Sequence, residues 1–229
     1  GLNELRKRAI EAGKADPVTG KLFNMHSKWG NVGLVRSWIR QGAMPTKNYG
    51  GCDQIDFPDV DEYLGASKIV AWQERKDGCW GCPCLCGGRL RANTGEYSWE
   101  AGAHKPEFES LSFGIKTQNR SLESVLKCCD LTNRAGLDHC SAGAVVAFAI
   151  ECFENGLLTT KDTGGLELTW GNSRAIVKLT ELICKREGIG DILADGTRIA
   201  SAKIGKGADQ YSIDVCGQEI DNSDPRPWP

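Results

Sequence analysis

Four cysteines fall within eight residues, Cys79-Trp80-Gly81-Cys82-Pro83-Cys84-Leu85-Cys86, and Gly87-Gly88 follow at once. Four sulfurs this close cannot all sit on one side of a regular helix or strand. The stretch therefore predicts a loop folded around something the thiols share, and a metal centre is the simplest such object.

Two spacings compete. Cys79, Cys82 and Cys86 read as C-x2-C-x3-C, while Cys84 offers an alternative partner between Cys82 and Cys86. Structural zinc takes two C-x2-C knuckles, or one knuckle and a His pair. No second C-x2-C occurs, and His26, His104 and His139 form no knuckle. An iron–sulfur cubane takes four thiolates, often three from one short loop and one from far away in the chain. Pro83 and the glycines suit it, because they remove an N–H or a side chain where backbone must turn close to sulfides. The bland alternative is a set of inert buried thiols or a disulfide pair, and which three of the four sulfurs bind stays open.

At 229 residues the chain can bury a substantial core. A net charge of −2, with the basic residues scattered along the sequence, gives no field for nucleic acid. The longest apolar run, 142–150, is far too short to span a bilayer, and no basic–apolar–small leader opens the chain. Eleven cysteines, an odd number, without an export signal favour a reducing cytoplasm over a disulfide scaffold. The chain starts on Gly1 and ends on Pro229, as a segment of something longer would.

The hydrophobic period predicts a helix over 3–12 stopped near Gly13, turn chemistry at Asp16-Pro17 and Thr19-Gly20, and a helix over 27–40 closed by Gly42. Residues 45–51 read as a loop, and 90–99 as a possible small hairpin about Asn93-Thr94-Gly95. Ser121 caps a helix, 133–138 is a break containing Gly136, and 141–154 is apolar on almost every face, the mark of a core helix. Further helices are predicted over 173–187 and 191–203. No heptad persists and no repeat or low-complexity linker appears. The expectation is an all-α, orthogonal multi-helix body, a single helical domain over 1–229, with the cysteine loop and other polar loops at the helix ends.

The order of these loops resembles the aldehyde ferredoxin oxidoreductase family. The carriers are Cys79-x2-Cys82-x3-Cys86, Pro106-Glu107-Phe108-Glu109-Ser110, Asn133-Arg134-Ala135-Gly136-Leu137-Asp138, Arg186-Glu187-Gly188-Ile189-Gly190-Asp191 and Asp224-Pro225-Arg226. The resemblance covers nearly the whole chain but only the middle portion of the family's length, without its pterin-holding N-terminal β domain and its C-terminal helical domain. It implies a tungsten (or molybdenum) bis-pterin beside a [4Fe–4S] cluster. Cys79, Cys82 and Cys86 then look like the three clustered ligands, the fourth lying beyond Pro229.

Gly136-Leu137-Asp138 resembles the family's D-x-x-G-L-D pterin-contacting turn, with Asn133 in place of its first Asp. Its plainer reading is a helix cap. Pro106-Glu107-Phe108-Glu109 resembles P-E-Y-E, whose last Glu sits near the metal, so Glu109 is the implied proton carrier, with Phe108 where the family has Tyr. His104 is a second candidate proton carrier, against the alternative of a surface histidine before a Pro turn, and His139 is either a pocket residue or a helix-start residue. Lys47 and Asn48 lie in a loop resembling the family's P-T-[RK]-N element that faces cofactor or substrate. Cys52, Cys128, Cys129, Cys140, Cys152, Cys184 and Cys216 are read as small apolar side chains, with Cys140 the one closest to the pterin turn.

The resemblance implies an oxidoreductase working with a low-potential electron carrier or iron–sulfur partner subunit, in an oligomer. Its substrate is either an aldehyde or, in the benzoyl-CoA reductase branch, an aromatic acyl-CoA ring. Phe108 and His104 lean towards the ring. Against this stand a non-catalytic electron-transfer module and a zinc-stapled helical domain.

Overall fold

The computed structural model describes residues 1–91, 95–98 and 103–227, and of Glu109 the backbone only. Helices dominate. In chain order they are α1 (Leu2–Ala15), α2 (Thr19–Trp29), α3 (Val35–Gln41), the short α4 (Asp53–Asp56), α5 (Val60–Leu64), α6 (Ala66–Val70) and α7 (Ser112–Ile115), then α8 (Leu122–Ala135), α9 (His139–Glu154), α10 (Ser173–Lys185), α11 (Ile189–Leu193) and α12 (Thr197–Ile204). Two small antiparallel ribbons accompany them: β1 (Gln73–Asp77) with β2 (Gly87–Leu90), and β3 (Asp214–Val215) with β4 (Gln218–Glu219). The all-α expectation holds.

α9 is the centre of the core. Its run of Ala, Val, Phe and Ile is buried on nearly every face, from Cys140 to Cys152. Each fully buried Val, Ile or Phe contributes roughly 1.5–3 kcal/mol of transfer free energy, so this helix dominates the hydrophobic drive. α7 lies so close that a Cβ on Gly143 would come within 2.2 Å of the Ser112 Cβ. The cap expected at Ser121 is present, accepting from the Ser124 N–H ahead of α8, and Asn172 accepts from the Ala175 N–H ahead of α10.

Three expectations needed correction. The helix predicted over 27–40 is interrupted, because Gly30 takes φ +76° and a short 3-10 turn, Asn31–Leu34, precedes α3. The reason is spatial: a side chain at Gly30 would meet the Cys86 carbonyl oxygen at 2.6 Å and Lys105 Nζ at 2.8 Å. The helix predicted over 191–203 is α11 and α12, separated at Gly196, whose φ of +87° no helix tolerates. Thr19, read as a turn residue, opens α2, and the Asp16 carboxylate accepts from the Val18 and Thr19 N–H groups at 3.0 and 2.7 Å. The hairpin turn about Asn93-Thr94-Gly95 lies at 92–94 outside the described residues. The strand leading to it, β2, pairs backwards with β1 across the cysteine loop. The β1–β2 ribbon thereby closes that loop at its base.

No helix of the described residues is long and apolar enough to cross a membrane.

Candidate functional site

The cysteine loop turns on two left-handed residues, Gly81 (φ +75°) and Leu85 (φ +49°), and on a Cys82 N–H that donates to the Cys79 carbonyl at 3.0 Å. Cys79 and Cys86 line one open hollow of about 380 Å³ together with Asp77, Arg89, His104 and Glu107. Among the described residues no group of three His, Cys, Asp or Glu is drawn together at metal-binding distance. The donor chemistry nonetheless suits a thiolate-held cluster: sulfurs of one loop on the rim of a hollow, with backbone rather than bulky side chains at the turns. Burial, then the nearby Glu107 carboxylate, raises the Cys86 thiol above its ordinary pKa, and burial raises Cys84.

Lys105 anchors the end of the cysteine loop to α2. Its side chain is buried, and Nζ donates to the Cys86 carbonyl at 2.7 Å and the Trp29 carbonyl at 3.1 Å. Burial lowers its pKa, while Glu107 and Cys86 oppose that shift. Nothing in the sequence separated this lysine from surface ones. Only the tertiary approach of α2, the loop and Pro106 encloses it.

From there the Pro106–Ser110 segment leads inward. Phe108 is 3 % exposed, with its ring centroid 5.4 Å from that of Trp38, so packing accounts for an apolar ring at this position. Glu109 starts a 3-10 turn, and its side chain lies outside the described residues. Ser110 Oγ lies 2.5 Å from His139 Nδ1. That contact fixes one ring nitrogen of His139, and burial holds the imidazole pKa below its ordinary value. His104 is exposed on the bridge to Arg89. Its charge adds a smaller downward push on the His139 pKa than burial does.

The second hollow, about 200 Å³, lies at the N-terminus of α9. Leu137 and Asp138 line it with Ser141, Asp195, Gly196, Gln218 and Glu219. Gly136 ends α8 in the left-handed conformation (φ +72°), and Asp138 begins α9 by accepting from the Ser141 N–H at 2.6 Å. The cap reading of Asp138 is thus realised, and its carboxylate still borders the hollow. Asn133 is on the last turn of α8, exposed, and not part of the lining. Glu219 accepts from the Thr197 N–H at 2.7 Å and hydroxyl at 3.1 Å, capping α12 from across the hollow. Carboxylates and a hydroxyl around a hollow suit the amino and amide edge of a pterin. At about 200 Å³ there is room for one edge of a cofactor and not the whole.

Lys47 and Asn48 are placed elsewhere. Lys47, Asn48 and Tyr49 are three consecutive left-handed residues (φ 47°, 50° and 67°), each costing of order 1–3 kcal/mol. Side-chain bonds hold them: Lys47 to Asp56 at 2.6 Å, Asn48 to Glu151 at 2.7 Å and the Tyr211 carbonyl at 2.9 Å, and the Tyr49 hydroxyl to the Asp221 carbonyl. Lys116, fully buried, donates to the Ile220 carbonyl at 2.6 Å with its ammonium 5.3 Å from the Tyr49 ring centroid. Burial lowers its pKa. Cys140, beside it, is 8 % exposed with Sγ 3.8 Å from Ser112 Oγ. Asp224-Pro225-Arg226 fastens the same loop, through Arg226 to the Gly51 carbonyl at 2.9 Å and the Asp224 N–H to the Ala43 carbonyl at 2.9 Å.

Three of the segments that carried the family resemblance are joined: the cysteine loop and the His104–Ser110 segment share one hollow, and Ser110 touches His139 at the start of α9. A family model described as domains 2 and 3 of aldehyde ferredoxin oxidoreductase matches residues 4–228. The chain belongs to the aldehyde ferredoxin oxidoreductase family. Among its aldehyde ferredoxin oxidoreductase relatives, the tungsten-containing aldehyde ferredoxin oxidoreductase of Pyrococcus abyssi is 31 % identical over 230 residues, covering 97 % of this chain and 35 % of the relative. The WOR-like subunit of an aliphatic sulfonate oxidoreductase of Pyrococcus furiosus is 34 % identical over 211 residues, 86 % of this chain and 32 % of the relative. A solved active-site complex BamBC of benzoyl coenzyme A reductase with 1,5-dienoyl-CoA matches at TM-score 0.58 and 31 % identity, over 69 % of this chain and 24 % of that one. The chain thus spans about a third of the length of the curated aldehyde ferredoxin oxidoreductases it matches.

Proposed function

We propose that this chain is the part of a tungsten- or molybdenum-pterin oxidoreductase that holds a [4Fe–4S] cluster through Cys79, Cys82 and Cys86 and presents the Asp138 turn to a pterin. The observation that carries the reading is convergence. One segment, His104 to Ser110, borders the cysteine hollow at one end and touches His139, the residue after Asp138, at the other. When bound, the metal–pterin group supplies the two-electron chemistry and the cluster supplies single-electron exchange with a low-potential carrier. The chain's own residues position these groups and move protons. Ser110 orients His139 through Nδ1, which leaves Nε2 as the atom that gives or takes a proton. His104 and Glu107, at the hollow's edge, exchange with water.

Of the two substrate classes, we favour an aromatic acyl-CoA ring. Ring reduction consumes protons, and three proton-carrying side chains line this segment; the likeness to the benzoyl-CoA reductase complex points the same way. Phe108 carries no weight for either class, since packing explains it. The second reading, aldehyde oxidation, is favoured by the tungsten-containing relatives.

Elemental analysis of the purified full-length protein is the test, expecting about four irons with sulfide and one tungsten or molybdenum per chain. Iron and sulfide without tungsten, molybdenum or pterin would make it an electron-transfer module, and zinc alone a stapled helical domain. Turnover of benzaldehyde but not of benzoyl or dienoyl thioesters would end the ring-reducing reading.

A further inference from the structure

Five charged or titratable side chains flank the cysteine loop, and they differ in their contact with water. Asp77, Arg89 and Glu107 are half-buried and His104 is exposed, whereas Lys105 is 4 % exposed. Its seat is built from three separate segments. The backbone around it is pinned to β2, for the Lys105 N–H donates to the Gly88 carbonyl at 2.8 Å and the Ala103 carbonyl accepts from the Leu90 N–H at 2.8 Å. The ammonium donates to the Cys86 carbonyl at the end of the loop, and to the Trp29 carbonyl at the last residue of α2. A helix C-terminus favours a cation there. Gly30 leaves the room, since a Cβ at that position would stand 2.8 Å from Lys105 Nζ. Helix end, loop end and glycine together hold one charge at a fixed point on the carbonyl of Cys86.

A cluster held by four thiolates carries net negative charge, and reduction adds one more, so nearby charge and burial set its potential. An exposed cation is screened by water, whereas one in a low-dielectric site acts several-fold more strongly. We propose that Lys105 sets the reduction potential of the cluster on Cys79, Cys82 and Cys86, its fixed charge favouring the reduced form. Glu107, two residues on and lining the same hollow as Cys79 and Cys86, opposes it with the other sign. Lys105 is a positioning residue, acting on the electron through the cluster and touching no reacting atom. The inference rests on the cluster reading above and adds to it what governs the cluster's affinity for an electron.

The test is a dye-mediated redox titration of the full-length enzyme, followed by the electron paramagnetic resonance signal of the reduced cluster, with iron and sulfide measured in every preparation. Lys105→Gln keeps an N–H donor and removes the charge. It is expected to lower the reduced-to-oxidised ratio about ten-fold at a given potential, a shift of about 59 mV to more negative values for a one-electron couple. Lys105→Arg keeps the charge and is expected to stay close to the unaltered enzyme. Glu107→Gln is expected to move the potential the opposite way and by less, because water screens a half-buried carboxylate. An unchanged potential in Lys105→Gln with iron retained overturns the proposal and leaves Lys105 a structural tie and the cluster reading standing. Equal negative shifts in Lys105→Gln and Lys105→Arg also overturn it, since lost packing would then be the cause. Should Lys105→Gln lose its iron, Glu107→Gln decides, and a potential unchanged or more negative there overturns the proposal. Unaltered enzyme lacking iron and sulfide overturns the cluster reading instead.

Discussion

α1 and α9 are both regular helices, fourteen and sixteen residues long, with opposite environments. α9 buries eleven residues and is sealed by α7, α8 and α10; α1 buries none and leans mainly on α2. The difference teaches how labour is divided. Around α9 the hydrophobic effect fixes the helices tightly enough that polar turns at their ends, Asp138 above all, are held where a cofactor edge can meet them. Around α1 apolar and cationic side chains stand exposed, Leu2, Leu5, Arg6, Lys7 and Arg8 among them.

The contrast can be broken most directly in the core. Phe148→Ala is expected to cost roughly 3–5 kcal/mol in urea denaturation, because Phe148 is fully buried in α9. Leu5→Ala on α1 is expected to stay within about 0.5 kcal/mol. Equal losses at the two positions would mean that α1 is packed after all.

The helix end comes next. Asp138→Ala removes the cap on Ser141 and is expected to cost about 1 kcal/mol. Asp138→Asn keeps a capping oxygen, so a fall in pterin content with stability retained would separate cofactor contact from capping. Unchanged pterin content in both variants would leave Asp138 a cap and nothing more.

A smaller effect is expected at His139. Its folded pKa lies below the ordinary 6.5 through burial, so the unfolded chain takes up the proton first. Stability is unaffected well above that pH and declines as pH falls through it. His139→Gln should flatten this decline in denaturant midpoints measured between about pH 7 and pH 5. A steeper decline in the variant would contradict the buried, neutral ring.

The smallest perturbation is chemical labelling. Cys52, Cys79 and Cys216 are exposed, whereas Cys128 and Cys152 are pushed up to about 12 by burial. Iodoacetamide near pH 8 should modify Cys52 and Cys216 and spare Cys128 and Cys152 until denaturant is added, with Cys79 modified only in protein stripped of its cluster. Equal rates at Cys216 and Cys152 would disprove the sealed core.

Much of this was legible in the sequence, for local reasons. The core helix showed through an unbroken apolar run, the caps through Ser121 and the Gly136–Asp138 break, and the cysteine loop through its density of sulfur. The site was legible in part. Lys47 and Asn48 read as cofactor-facing, yet their side chains are committed to Asp56 and to Glu151 and Tyr211, since three left-handed residues need anchors that no local pattern reveals. Glu219 was missed because a strand of two residues such as β4 leaves no periodicity to read, and Asp195 because the break between α11 and α12 was read as continuous helix.

The sequence by itself determined the longest helices, the cap at Ser121, and that four thiols share one loop, because propensity, capping and hydrophobic period act over a few neighbouring residues. The tertiary structure alone decided that Gly30 must break a helix, that Lys105 is buried, and that Ser110 meets His139. Those outcomes depend on backbone and side chains brought together from positions 19 to 76 residues apart, and only the packed chain specifies such approaches.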